Sequence, residues 1–247
     1  MTSVIGHRSL ALLLAAATLA GCVGAPRQIV PVAEGPEAEI VLPLFDAADA
    51  LTGEWRHVRI WKENTFDLIP DGEGVAIRAT GNGSSSGLVR YMEIDTAICP
   101  VIEWSWRVDS LPPDADLTIK DQEDVAAAIF FVFGDPGPLG APAPVPTLRY
   151  VWATEANPEN QVIDSPYLPG VLRSVVVESG TANLGAWVTE RRSIAADYEA
   201  IFGEQPEGPV EVFALFTDND HTEAPTVAQY RWARARCTEE PDGPSIF

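Results

Sequence analysis

Between Val101 and Val108 the chain alternates with a period of two: Ile102, Trp104, Trp106 and Val108 share one face, Glu103, Ser105 and Arg107 the other. Successive side chains take opposite faces in an extended strand, so this stretch calls for a sheet with one buried side. Similar short runs recur at 58–61, 74–80, 88–94, 148–153, 172–178, 187–191, 210–216 and 227–236. Residues 126–133 are apolar on both faces and predict a central strand with cover on each side. Glycine and proline punctuate the runs, with a flexible turn at 81–87 and five prolines in a loop at 135–146. One helix is predicted: Ser193 can cap it, Ile194, Tyr198, Ile201 and Phe202 share a face, and Gly203 ends it. Many short strands, turn signals every 8–15 residues and no βαβ pattern predict an all-β fold, a jelly-roll-like β-sandwich with one short helix. A long β-barrel is the alternative, but a strand apolar on both faces suits a sandwich interior better.

The N-terminus says where such a domain resides. Residues 10–20 form an apolar run of secretory h-region length, too short for an ordinary membrane span. The run ends in Leu19-Ala20-Gly21-Cys22, which resembles a bacterial lipobox. That resemblance implies cleavage after residue 21 and acylation of Cys22. Val23, rather than Asp, follows the cysteine and implies the outer membrane, with the domain facing the periplasm. The chain then divides into a signal peptide (1–21), a Pro/Glu-rich tether (22–42), one domain (43–237) and a polar tail (238–247). Thirty-six acids against 16 bases give a net charge of −20, which excludes nucleic acid as a partner. With Cys22 acylated, Cys99 and Cys237 remain, a disulfide candidate in an oxidising compartment; two unpaired buried thiols are the alternative.

Several longer stretches resemble the bacterial domain-of-unknown-function family 3047. They are Glu103–Val108 with Leu111-Pro112-Pro113, Asp121–Phe133, Tyr150–Ala153, Val175–Gly180, Trp187–Arg192, Asp197-Tyr198, Phe202–Pro206 and Thr217–Thr222. The match runs in order over about residues 43–236 and implies an exported single domain, but no activity. The long loop at 135–146 and His221 depart from the family pattern. Phe45-Asp46 with Trp55 also resembles galactose-binding-like jelly rolls, at the level of fold alone.

Two constellations carry candidate chemistry. Asp218-Asn219-Asp220 follows a strand and offers hard oxygen ligands of the kind Ca²⁺ takes, with Asp124 from the acidic run 114–124 as a further ligand. A solvated turn, in which these side chains bond their own backbone, explains the same residues. The second is an aromatic platform of Trp152, Tyr167 and Trp187 with Arg191, joined by Asp218 from the first constellation and suited to stacking on sugar rings. Core burial is the simpler reading for each ring taken singly. Enzymatic signals are sparse. Glu93-Ile94-Asp95-Thr96-Ala97 resembles the carboxylate strand of sandwich glucanases but has Ala97 where the final acid belongs. There is no Gly-x-Ser-x-Gly elbow, and His57 and His221 are the only histidines beyond the signal peptide. These observations predict a lipid-anchored module that binds a glycan or another envelope component. Two alternatives are a glycan hydrolase pairing Asp124 with Asp218 or Glu190, and an assembly lipoprotein that binds another envelope protein.

Overall fold

The computed structural model describes residues 40–51, 53–72, 74–137 and 144–239. The strands, in chain order, are β1 (Ile40–Asp46), β2 (Arg56–Arg59), β3 (Thr65–Asp71), β4 (Gly74–Gly81), β5 (Ser85–Ile94), β6 (Val101–Ser110) and β7 (Val125–Phe133). They continue as β8 (Thr147–Ala153), β9 (Val162–Asp164), β10 (Leu172–Ser179), β11 (Val188–Ser193), β12 (Val210–Asp218) and β13 (Thr226–Cys237). One α-helix, α1 (Ile194–Phe202), lies between β11 and β12.

These strands form a two-layered β-sandwich, the all-β class that the alternation predicts. One sheet has six strands in the order β11-β6-β13-β4-β3, with β1 also on β13; the other has seven, β2-β5-β12-β7-β8-β10-β9. Every pairing is antiparallel except β8 with β10. From β4 to β7, and again from β10 to β13, successive strands change sheets, so chain connectivity itself ties the layers together.

The core lies between the sheets. Trp104 and Trp106 from β6, Tyr230 from β13, Tyr150 and Trp152 from β8, and Phe131 and Phe213 from β7 and β12 all enter it. Trp104 stacks on Tyr150 with ring centroids 5.0 Å apart and meets Trp106 edge-on at 5.5 Å. Two buried hydroxyls find partners: Tyr150 donates to Asp197 at 2.7 Å and Tyr230 to the Phe216 carbonyl at 2.8 Å. Helix α1 closes one end of the sandwich, with Ile194, Tyr198 and Ile201 in the core and a buried Arg192–Asp197 pair at its start. Gly203 takes the left-handed conformation (φ 90°) that ends it, while Ser193 occupies the N-cap position without a side-chain bond. Cys99 and Cys237 are joined by a disulfide at this same end.

Three sequence boundaries shift. Strand β1 begins at Ile40, inside the stretch read as tether, because its backbone pairs with the last residues of β13. The segment 81–87 is a turn only as far as Ser84. Ser85, Ser86 and Gly87 belong to β5 and are buried. Strand β3 carries Pro70 and escapes an alternation test because it is a half-exposed edge strand, where a missing N–H costs no ladder bond. Residues 1–39, including the lipobox, Cys22 and most of the tether, lie outside the described residues, as do the prolines at 138 and 142 and the end of the tail.

Candidate functional site

The outward face of the seven-stranded sheet holds the site. Strand β12 sends Phe213 and Leu215 into the core, so Val212, Ala214, Phe216 and finally Asp218 face out. Part of that face is roofed by residues 111–124. Leu117 of this segment is buried over Val125, Val151 and Val176, making a second small core that explains why β7 is apolar on both sides.

Beyond the roof's edge, three segments converge. Asp124, just before β7, is 2% exposed and accepts the backbone N–H groups of His221 at 3.2 Å and Thr222 at 2.7 Å. These bonds pin the turn after β12 onto the start of β7. The turn is held from its other side by Asn219, fully buried, whose amide oxygen accepts the Ser84 N–H at 3.0 Å. His221 Nδ1 lies 3.0 Å from Asp220 and 3.3 Å from Asp124, and its Nε2 is 2.6 Å from the Tyr167 hydroxyl. With two carboxylates at Nδ1, the proton sits there and the phenol donates to Nε2. Tyr167 comes from the β9–β10 loop, and the Lys120 ammonium lies 4.8 Å over its ring.

The electrostatics follow from crowding. Burial holds the Asp218 carboxyl well above the usual range, and the neighbouring charges of Asp220 and Asp124 push it further; the Ser85 hydroxyl, 3.0 Å away, opposes them. Tyr167 is also raised, by partial burial and the acids around it, so it stays a neutral phenol. Deeper in, Arg149 is almost fully buried on the outward side of β8. It is neutralised by Glu123 at 2.7 Å and donates to Ser174 at 2.8 Å. Together these groups form the polar end of a cavity of about 330 Å³ whose apolar wall is Ile60, Phe130, Leu172 and Phe216. Ligand atoms of Asp124, Asp220 and His221 lie within 4.8 Å of one another, close enough to share one cation. Ca²⁺ favours an all-oxygen shell, so the imidazole would add a donor better suited to a softer divalent ion.

The family model described as a protein of unknown function (DUF3047) matches residues 53–233. The chain belongs to this family. No curated protein matches it. Among solved structures, this DUF3047 chain is similar to the Emp47p carbohydrate recognition domain, with TM-score 0.42, 9% identity, and coverage of 83% of this chain and 97% of that one. It is also similar to the family 11 carbohydrate-binding module of a cellulosomal cellulase of Clostridium thermocellum (TM-score 0.38, 7% identity, 78% and 92% covered). A third is the xylan-binding domain from family 22 (TM-score 0.37, 9% identity, 81% and 98% covered).

The DUF3047 domain brings together the predicted acids and separates the predicted platform. Asp218 and Asp220 line the cleft, and Asp124 lies buried beside them. Of the four platform residues only Tyr167 reaches it. Trp152 is fully buried between the sheets, with its indole N–H on the Gly180 carbonyl at 3.2 Å. The period-two pattern put Tyr150 and Trp152 on one face correctly. Both faces of β8 are covered, however, so the pattern could not say that this face was the core. Trp187 sits by the other sheet, bonded to Asp71 at 3.1 Å with the Arg231 guanidinium 4.1 Å over its ring. Arg191 projects from β11 to Glu103, which it shares with Arg234 and Arg236. Glu190 is also on β11, in the opposite sheet from Asp124, so of the two acid pairings only Asp124 with Asp218 forms. Sequence reading missed Arg149, and held Glu123 only as one acid of the run 114–124 rather than as the partner of that arginine. The signal was present: a lone arginine whose face-mates are Val151 and Ala153 must carry a buried counter-charge.

Proposed function

We propose that this domain is a non-catalytic ligand-binding module of the cell envelope. In this reading a lipid on Cys22 holds it to the outer membrane on the periplasmic side, and its ligand is a glycan or other polyhydroxyl envelope component. The supporting observation is the convergence of the start of β7, the β9–β10 loop and the turn after β12 on one open cavity. There, Asp218, Asp220, His221 and Tyr167 offer both acceptors and donors beside the rings of Phe130 and Phe216. Hydroxyl-rich ligands need that mixture of hydrogen-bonding groups and apolar surface. Calorimetry of the protein against envelope polysaccharide fragments, with and without Ca²⁺, tests the reading. Saturable binding that weakens at least tenfold in Tyr167→Ala supports it; no heat with any fragment removes it. Incorporation of radiolabelled palmitate, abolished by Cys22→Ser, tests the anchor.

One observation favours hydrolysis as a second reading. Burial and the neighbouring charges of Asp220 and Asp124 push the Asp218 carboxyl well above its usual range, and a carboxyl raised in this way beside a second one is what a general acid in glycosidic cleavage needs. Release of reducing ends from the same fragments, lost in both Asp124→Asn and Asp218→Asn, would replace the binding reading with this one.

A further inference from the structure

The polar cavity does not end at Phe130 and Phe216. A second cavity of about 290 Å³ shares Ile60, Phe130, Leu168, Leu172 and Phe216 with it and continues along the outward face of the same sheet. Its floor is Val89, Val132, Val212 and Ala214, from β5, β7 and β12. The solvent side of an antiparallel sheet is ordinarily polar, so an aliphatic floor here departs from what folding requires. Ile60, 69% exposed, adds apolar surface at the shared rim. One continuous cleft thus runs from a carboxylate-rich end to a purely aliphatic end.

We propose that this cleft takes a single-chain amphiphile, with an uncharged polyhydroxyl head among Asp218, Asp220 and Tyr167 and an alkyl chain along the valine floor. The two ends choose the ligand jointly. A wholly polar glycan leaves the aliphatic floor wet, and a wholly apolar ligand leaves Asp218 and Asp220 without ligand partners. An anionic head is repelled, because the guanidinium of Arg149 is already spent on Glu123. Sugar hydroxyls donate to the carboxyl oxygens of Asp218 and Asp220, which line the polar end. The proposal rests on the cleft being a binding site, and it deepens that reading by naming the ligand class.

The test uses full-length protein carrying Cys22→Ser and titrates maltose and hexyl, octyl and decyl maltoside below their micellar concentrations. Affinity should rise roughly threefold to fourfold per added methylene, about a hundredfold from hexyl to decyl, as each CH₂ leaves water. Ala214→Leu fills the floor and should erase the dependence on chain length. Val132→Thr keeps the side-chain shape, should fold if Ala214→Leu does not, and should reduce the decyl-to-hexyl ratio several-fold. Decyl sulfate should bind at least tenfold more weakly than decyl maltoside. Equal affinity for maltose and decyl maltoside overturns this inference and leaves the binding reading intact. Tighter binding of decyl sulfate or decylammonium overturns the assigned head group. No binding of any glycoside overturns both readings.

Discussion

Two carboxyl groups make stability depend on pH in the same direction. Glu190 is pushed up to about 7 by burial and then by the charge of Glu178, and its Oε1 lies buried without a hydrogen-bond partner. Asp218 is raised by burial and by Asp220 and Asp124. For a carboxyl raised in the folded state, stability is fully present below its unfolded value, 4.5 for Glu190, and is lost as pH rises through the folded one. The protein should therefore unfold at lower temperature at pH 8 than at pH 5. Glu190→Gln should recover up to about 3 kcal/mol at pH 8 and flatten the profile. Asp218→Asn should flatten it further. Thermal unfolding from pH 4 to 8 decides this, and a wild type that gains stability above pH 5 refutes the assignment. The opposite case is Arg149, whose charge is matched. Arg149→Met strands a buried Glu123 and should cost about 3–5 kcal/mol in urea unfolding, whereas Arg149→Met with Glu123→Gln should cost much less.

At the scale of strands, close approach sets the tolerances. A Cβ on Gly87 would stand 2.5 Å from both the Leu215 carbonyl oxygen and the Phe216 ring, one backbone and one packed aromatic. Gly87→Ala should destabilise by about 1–3 kcal/mol through forced separation of β5 and β12. Because Phe216 also forms the cleft wall, ligand affinity should fall with stability, a pairing that denaturation and calorimetry can check. The same strand marks the limit of what the sequence discloses. Alternation exposed β6 and β12, because their inward residues are large and their outward neighbours differ. The buried run Ser84-Ser85-Ser86 reads as a loop, since its hydroxyls are satisfied by groups far along the chain. Ser84 donates to Asn64 at 2.5 Å, Ser85 to Asp218 at 3.0 Å, and Ser86 Oγ accepts the Asn64 N–H at 2.7 Å. The acids of the cleft were legible as a local density of ligands, and Asp124 was legible only as a supplement to them. Tyr167 was legible as a candidate ring, though in the company of Trp152 and Trp187; the aliphatic floor was not, because it arises from which face of a doubly covered sheet is left open.

Across the molecule, β13 spans the sandwich from the cleft to the disulfide. Thr226 follows the turn that Asp124 holds, and Cys237, at the far end of this 12-residue strand, is bridged to Cys99 before β6. At ~3.3 Å per residue these points are roughly 35 Å apart. The bridged end also gathers β1, which pairs with β13 up to Cys237, and α1, whose Ile194 N–H bonds the Pro100 carbonyl at 2.9 Å. The bridge closes a loop of 138 residues, which the chain-entropy account values at about 4–5 kcal/mol, a large part of a typical domain's 5–15 kcal/mol. Cys99→Ser with Cys237→Ser should therefore lower the unfolding free energy by about that amount, starting with release of β1 and the end of β13. Hydrogen exchange should show those amides opening first, while amides of β12 and the turn after it keep most of their protection. Ligand affinity, read at a temperature where the variant is still folded, should stay within about twofold of wild type, because nothing in the cleft touches the bridged end. A tenfold loss of affinity would mean that the two ends of β13 are mechanically coupled and that the cleft is shaped by the whole sandwich rather than by the three segments that line it.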